Sequence, residues 1–216
     1  MASDDDAGVR LVIIGGGGHG REICDVARGF GDKYCIEMSD DGSIDIERIK
    51  SLGIAWSGPL SAAIQSGGAS YVVGIGDGRI RRRVVNRVPA NWIPTSLVDS
   101  RAFIGSDVGV GHGVVVFPMV TVATNSNIGS HSHIGRGAAV GHDVSIGDFV
   151  SVFPLASISG DVRIGDCATI GSGAVVRQGQ VLGDRCFVGA GSVVVSDVPA
   201  GVTVIGNPAR PVDKRR

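Results

Sequence analysis

Residues 139–165 read AVGHDVSIGDFVSVFPLASISGDVRIG, with an aliphatic side chain at every sixth position: Val140, Ile146, Val152, Ile158 and Ile164. Followed outward, the same step runs back through Ile134, Ile128, Val122, Val116, Val110 and Ile104 to Val98. It runs forward through Ile170, Val176, Leu182 and Val188 to Val194, and no insertion interrupts it. Glycine follows the aliphatic residue at 105, 111, 129, 135, 141, 147, 165, 171, 183 and 189. A period of six keeps to no face of a 3.6-residue helix. Short strands with a turn every six residues satisfy it, each sending one aliphatic side chain inward. Three such strands close a triangular coil of eighteen residues, and stacked coils share one continuous core. Residues eighteen apart then lie about 4.8 Å above one another, the strand spacing of a sheet.

The composition agrees. Glycine makes up 35 of 216 residues and aromatics only 5%, while hydrophobic residues reach 43%. That is a folded chain with tight turns at short intervals, not a disordered one. A net charge of −1 provides no basic field, so nucleic acid is not an expected partner. Cys24, Cys35, Cys167 and Cys186 form no CxxC pair and read as small buried hydrophobes in a reducing compartment. The start, MASDDDAGVR, is acidic and has no apolar core of signal-peptide length. The longest apolar stretch, 114–123, is too short for a bilayer. The expectation is a cytoplasmic protein with no membrane contact.

Before the repeats the grammar changes. Residues 10–14 read as a strand, followed by GGGGHG and a helical stretch over about 21–30. A second strand near 34–38 ends in Ser39-Asp40-Asp41. A third, 71–75, leads into Gly76-Asp77-Gly78 and a basic helix over 79–87. Strand–helix alternation with glycine turns predicts a small parallel sheet, half of a Rossmann-like fold. Pro89, Pro94 and the segment between them read as a linker. The chain therefore divides into an α/β domain, 1–90, and a β-helix, 97–216.

Gly15, Gly17 and Gly20 form GxGxxG between a strand and a helix, where backbone amides can cradle a pyrophosphate. Asp40 and Asp41 follow the second strand at about the distance of a ribose-binding carboxylate. Eighty residues are too few for a whole dinucleotide fold, which favours a nucleotide-diphospho-sugar over NAD. Arg79, Arg81, Arg82 and Arg83 offer a phosphate contact, but they read better as a solvated helix face. Among the five histidines, His142 stands in a turn with Asp143 next to it, able to orient the imidazole as a general base. One coil above it lies Gly160, which leaves room for a thioester.

GGGGHGRE at 15–22, IGDGRIRR at 75–82, GHDVSIGDF at 141–149 and IGNPARPV at 205–212 together resemble one family. It is the sialic-acid-O-acetyltransferase-like group of hexapeptide-repeat nucleotide-sugar N-acetyltransferases, with the GDP-perosamine N-acetyltransferases the nearest branch. The resemblance covers about residues 11–212. It implies a left-handed β-helix, a homotrimer, acetyl-CoA as co-substrate without a metal, and a sugar nucleotide as acceptor. It also implies a place in lipopolysaccharide O-antigen synthesis. It places the base on His142 with Asp143, and acceptor contacts on Gly17, Gly18, His19, Asp40, Asp41, Gly76, Asp77 and Arg79. Acetyl-CoA would meet Ser151, Gly160, Ala190, Gly206 and Pro208. Two positions depart from the family pattern: Ser151 stands where many members carry a second histidine, and Gly135 where many carry asparagine. His133, one coil beneath Ser151, is a candidate to compensate. Alternatives are sugar O-acetylation, a UDP- or dTDP-linked acceptor, or a non-catalytic sugar-nucleotide-binding β-helix. A γ-class carbonic anhydrase is a further one, with His131, His133 and His142 as zinc ligands.

Overall fold

The computed structural model describes residues 8–212, so the acidic start of the chain lies outside the described residues. From Leu97 onward, two-residue strands alternate with four-residue turns, and the aliphatic residue of each hexapeptide is the second of its strand. Strands eighteen residues apart pair in parallel, as Thr121 with Ala139 and Val122 with Val140. The result is a left-handed parallel β-helix with three faces. Face 1 contains Leu97–Val98, Val115–Val116, His133–Ile134, Ser151–Val152, Thr169–Ile170 and Phe187–Val188. Face 2 runs from Phe103–Ile104 to Val193–Val194, and face 3 from Gly109–Val110 to Val181–Leu182.

The repeated aliphatic positions fill one core, in which Val122, Ile134, Val140, Ile158, Ile170 and Val188 are all buried. Each such side chain contributes roughly 1.5–3 kcal/mol by leaving water. Glycine opens many turns because the turn above lies so close: a Cβ on Gly141 would stand 2.6 Å from the Gly160 amide. The third turn residue adopts the left-handed conformation even where it is not glycine, as in Asn125, His131, Asp143 and Phe149 (φ 56–59°).

The hexad ends after Val194. The next coil is two residues short, pairing Leu182 with Val198 and Phe187 with Thr203 at a spacing of sixteen. The strand Thr203–Ile205 then pairs with Arg210–Pro211 running antiparallel, and face 1 stops there.

The α/β domain has five parallel strands in the order β3-β2-β1-β4-β5: β1 Val9–Ile14, β2 Tyr34–Ser39, β3 Ala55–Trp56, β4 Ser70–Val73 and β5 Ile93–Pro94. Four helices connect or flank them: α1 Gly18–Arg28, α2 Ile46–Ser51, α3 Leu60–Gln65 and α4 Gly78–Val85. The three strands and two helices read from sequence are present; α2, β3 and α3 are additional. The expected linker is also structured. Ile93 pairs with Ser70 and Pro94 with Tyr71, while Trp92 is buried and donates to the Gly67 carbonyl. Proline fits because β5 is an edge strand.

This domain packs on face 1, whose outward residues Leu97, Val115, His133 and Ser151 are all buried. Leu97, Val115 and Phe117 belong to the same apolar cluster as Leu11, Ile23 and Met38 of the α/β domain. Arg81 completes the joint. Its guanidinium is fully buried, with Nε donating to the His131 carbonyl (2.7 Å), Nη1 to that of Ile75 (2.5 Å), and Nη2 to that of Val150 (3.0 Å) and to Ser151 Oγ (3.1 Å). The solvated helix face expected for 79–83 thus does not include Arg81. Burial lowers its pKa to about 10, and neutral oxygens take up its donors.

Candidate active site

His142 and Asp143 occupy a turn on the edge between faces 2 and 3. The imidazole is about half exposed (54%), and its Nδ1 stands 2.6 Å from Asp143 Oδ2. The other carboxylate oxygen accepts from Asn125 Nδ2 at 2.6 Å, one coil below. The hydrogen bond from His142, then that from Asn125, holds the Asp143 carboxyl below its usual range. A carboxylate on Nδ1 keeps the proton there, which leaves Nε2 free as a base. A Cβ on Gly160 would lie 2.6 Å from that Nε2, so only glycine leaves the ring an open side. Asn125 was not picked out from the sequence, although its spacing of eighteen from Asp143 was a usable signal.

The glycine loop gives a second constellation. Gly17 is the N-cap of α1 without any side-chain cap, and the amides of Gly17 and Gly18 have no partner among the described residues. Gly15 needs its positive φ of 125°, whereas nothing lies within 4 Å of a Cβ on Gly17. A residue kept bare without an internal reason suits the close approach of a ligand. Asp40 serves the loop itself, accepting from the amides of Gly16 (2.6 Å) and Gly42 (2.7 Å). Asp41 accepts from the Leu60 amide and pairs with Arg87 at 2.7 Å; both lower its pKa. Asp77 caps α4 through the amides of Arg79 and Ile80.

Two cavities open between the domains along face 1. One, of about 390 Å³, is lined by Gly18, His19, Gly76, His133, Ser151 and Phe153 among others. The other, of about 340 Å³, shares Gly76 and Phe153 and adds Asp77, Arg79, Arg185 and Phe187. Gly18 and His19 line the first cavity and Asp77 and Arg79 the second, with Gly76 common to both; Gly17 lines neither, and Asp40 and Asp41 brace the loops. Ser151 lines the first cavity but spends its hydroxyl on the joint, donating to the Gly76 carbonyl at 2.6 Å and accepting from Arg81.

Within one chain these parts do not meet. The α/β domain covers face 1, and the edge carrying His142 is the one opposite that face. The residues expected to hold acetyl-CoA also divide. Gly160 lies beside His142, whereas Ser151 is on face 1 and Ala190 on the edge between faces 1 and 2. Gly206 and Pro208 lie in the turn joining Thr203–Ile205 to the last strand. His131 and His133 are buried at the joint, apart from His142, so the three zinc ligands of the carbonic-anhydrase alternative do not converge. Among the described residues no group of three or more His, Cys, Asp or Glu side chains is placed to hold a metal, and no helix is long and apolar enough to cross a membrane.

Comparisons with known proteins agree with both halves. The PglD N-terminal domain family matches residues 10–88, and the bacterial transferase hexapeptide (six repeats) family matches 143–178. The acetyltransferase domain of PglB from Neisseria gonorrhoeae is 32% identical, with a TM-score of 0.86 over 94% of this chain and 99% of its own. PerB from Caulobacter crescentus, solved with CoA and GDP-perosamine, is 31% identical, with a TM-score of 0.86 over 94% of this chain and 97% of its own. WeeI from Acinetobacter baumannii is 27% identical, with a TM-score of 0.83 and coverages of 94% and 99%. No curated protein sequence matches.

Proposed function

We propose, for a chain that belongs to the hexapeptide-repeat nucleotide-sugar N-acetyltransferases with a PglD N-terminal domain, that it acetylates the 4-amino group of a nucleotide-linked 4-amino-4,6-dideoxy sugar, GDP-perosamine foremost. Acetyl-CoA is the donor, as in the complex of the PglB domain with acetyl coenzyme A, and no metal takes part. The observation that carries the reading is the His142 ring, clamped through Asp143 to Asn125 at one nitrogen and open beside Gly160 at the other.

The chemistry follows from that geometry. The neutral amine attacks the thioester carbonyl carbon, forming the C–N bond and a tetrahedral oxyanion. His142 Nε2 takes the proton shed by the nitrogen. As the C–S bond breaks, that proton passes to the departing sulfur, which leaves an acetamide and free CoA. A neutral amine is nucleophilic without prior deprotonation, so no covalent enzyme intermediate is needed. Amides exposed at the turns supply the oxyanion contact.

The glycine loop with Gly17, Gly18 and His19, together with Gly76, Asp77 and Arg79, holds the sugar nucleotide in the interdomain cavities. Because the base stands on the opposite edge, it acts on an acceptor held by another copy. Face 2 suits that contact: its outward residues Phe103, Thr121, Ala139, Ser157, Val175 and Val193 carry no charge, and Phe103 is 65% exposed. Cyclic closure gives a trimer. The divided donor residues then belong to one groove between copies, Gly160 from one and Ala190, Gly206 and Pro208 from the next. The four unpaired cysteines suit a reducing cytoplasm.

Mass spectrometry of mixtures of acetyl-CoA with GDP-, UDP- and dTDP-linked 4-amino sugars tests the reading. Acetylation is expected, fastest on the GDP sugar. Preference for UDP or dTDP would change the carrier, an acetate ester on NMR would replace nitrogen by oxygen, and no product with any acceptor would end the proposal.

A further inference from the structure

His133 projects from face 1 into the joint, directly below Ser151, and is almost completely buried (2% exposed). Its Nδ1 lies 2.8 Å from Nε2 of His19, the histidine of the glycine loop. Nδ1 of His19 is 3.8 Å from the Glu22 carboxylate, which itself pairs with Arg136. The negative charge of that carboxylate favours the tautomer with the His19 proton on Nδ1, and in that tautomer His19 Nε2 accepts and His133 Nδ1 donates. A neutral imidazole has one N–H, and His133 has then committed it. Its Nε2 is left a bare acceptor, buried and without a partner among the described residues, on a residue that lines the 390 Å³ cavity. Burial and the Arg81 charge keep the ring neutral, so protonation does not relieve the orphan. A buried acceptor left unpaired carries a desolvation cost that a ligand donating to it would recover.

We infer that His133 Nε2 accepts a hydrogen bond from the amino group of the acceptor sugar and so selects an amine over a hydroxyl. The inference rests on the acetyl-transfer reading above. A primary amine offers two N–H bonds and a lone pair: one N–H points to His133, the lone pair to the thioester carbon, and the remaining N–H to the incoming His142. A hydroxyl has a single hydrogen. Given to His133 it is withheld from the base, and given to the base it leaves His133 orphaned.

The test uses the full chain and a GDP-linked 4-amino-4,6-dideoxy sugar. His133→Asn keeps a polar atom towards His19 but removes the one at Nε2, whereas His133→Gln keeps a polar atom near Nε2. His133→Asn is expected to raise KM for the sugar about tenfold, the worth of one such bond, with KM for acetyl-CoA unchanged. His133→Gln should recover most of that loss. An unchanged acceptor KM in His133→Asn would overturn the inference. If the wild-type chain acetylates no amino sugar, the functional reading has failed, and calorimetry still decides the contact: equal Kd for the nucleotide sugar in wild type and His133→Asn refutes it. Should His133→Asn not fold, imidazole ¹⁵N resonances of the wild-type protein replace it. The His133 Nε2 signal must move when the nucleotide sugar saturates the protein, and a signal that stays still refutes the contact.

Discussion

His133 and His142 are half a coil apart in sequence and belong to opposite chemical regimes. His142 stands on an outer edge, half in water, with a carboxylate on one nitrogen and open space at the other. His133 is sealed in the domain joint beside a guanidinium, with no carboxylate in hydrogen-bond contact. The same side chain keeps one nitrogen open to solvent in one place and is a buried hydrogen-bonding group in the other. Proton affinity here is set by what the fold puts around a ring. The joint supplies burial and positive charge that forbid the cation, whereas the ring on the edge faces water beside a carboxylate.

The sharpest way to break this contrast is at the edge. His142→Asn should lower kcat by roughly 10²–10⁴ with little change in KM, the usual worth of a general base. Circular dichroism and sedimentation should match those of the wild type, because a turn side chain packs nothing in the core. Near-normal turnover would remove His142 from the mechanism.

The joint should answer to pH instead. His131, stacked on Phe149 beside Arg81, has its pKa lowered to about 4, by burial first and then by Arg81 and His112, with Asp148 opposing. Unfolded, it returns to its ordinary 6.5. Below pH 6.5 the unfolded chain therefore takes up a proton that the folded chain refuses. Stability falls as pH drops from 6.5 towards 4, and this group adds no further loss below that. Thermal unfolding across this window should show a steeper decline in the wild type than in His131→Gln; parallel curves would show that the ring is not held neutral.

The smallest effect sharpens the edge itself. Asn125→Gly suits the left-handed backbone there and removes only the hydrogen bond to Asp143. A drop in kcat of roughly three- to tenfold, with KM and melting temperature near wild type, is expected for one positioning bond. Unaltered kcat would mean that Asp143 needs no support from below.

The β-helix was legible because its code is local and repeats: each hexapeptide states its own strand and turn, and His142 with Asp143 stands out against a background of Gly-x-x. The joint was hidden because it is made by docking. Nothing in Arg79-Ile80-Arg81-Arg82-Arg83 distinguishes the arginine that is sealed between domains from those that face water. Pro94 suggested a linker because a lone proline carries no sign of being at a sheet edge. Asp40 and Asp41 were found, but their first partners are the chain's own amides, which residue type and spacing do not reveal.

The shortened last coil and the reversed strand Arg210–Pro211 have a consequence for growth. A stack of parallel coils has no intrinsic length; its upper rim is a row of unpaired backbone groups on which another chain could continue as a filament. Here the rim of face 1 runs the wrong way for a parallel partner, and Pro211 has no amide hydrogen to offer. The two-residue deletion also shifts the phase of the coil below it, so an incoming eighteen-residue coil finds no matching register. On face 1 the described residues thus offer no template for a further parallel coil, because the last turn miscounts.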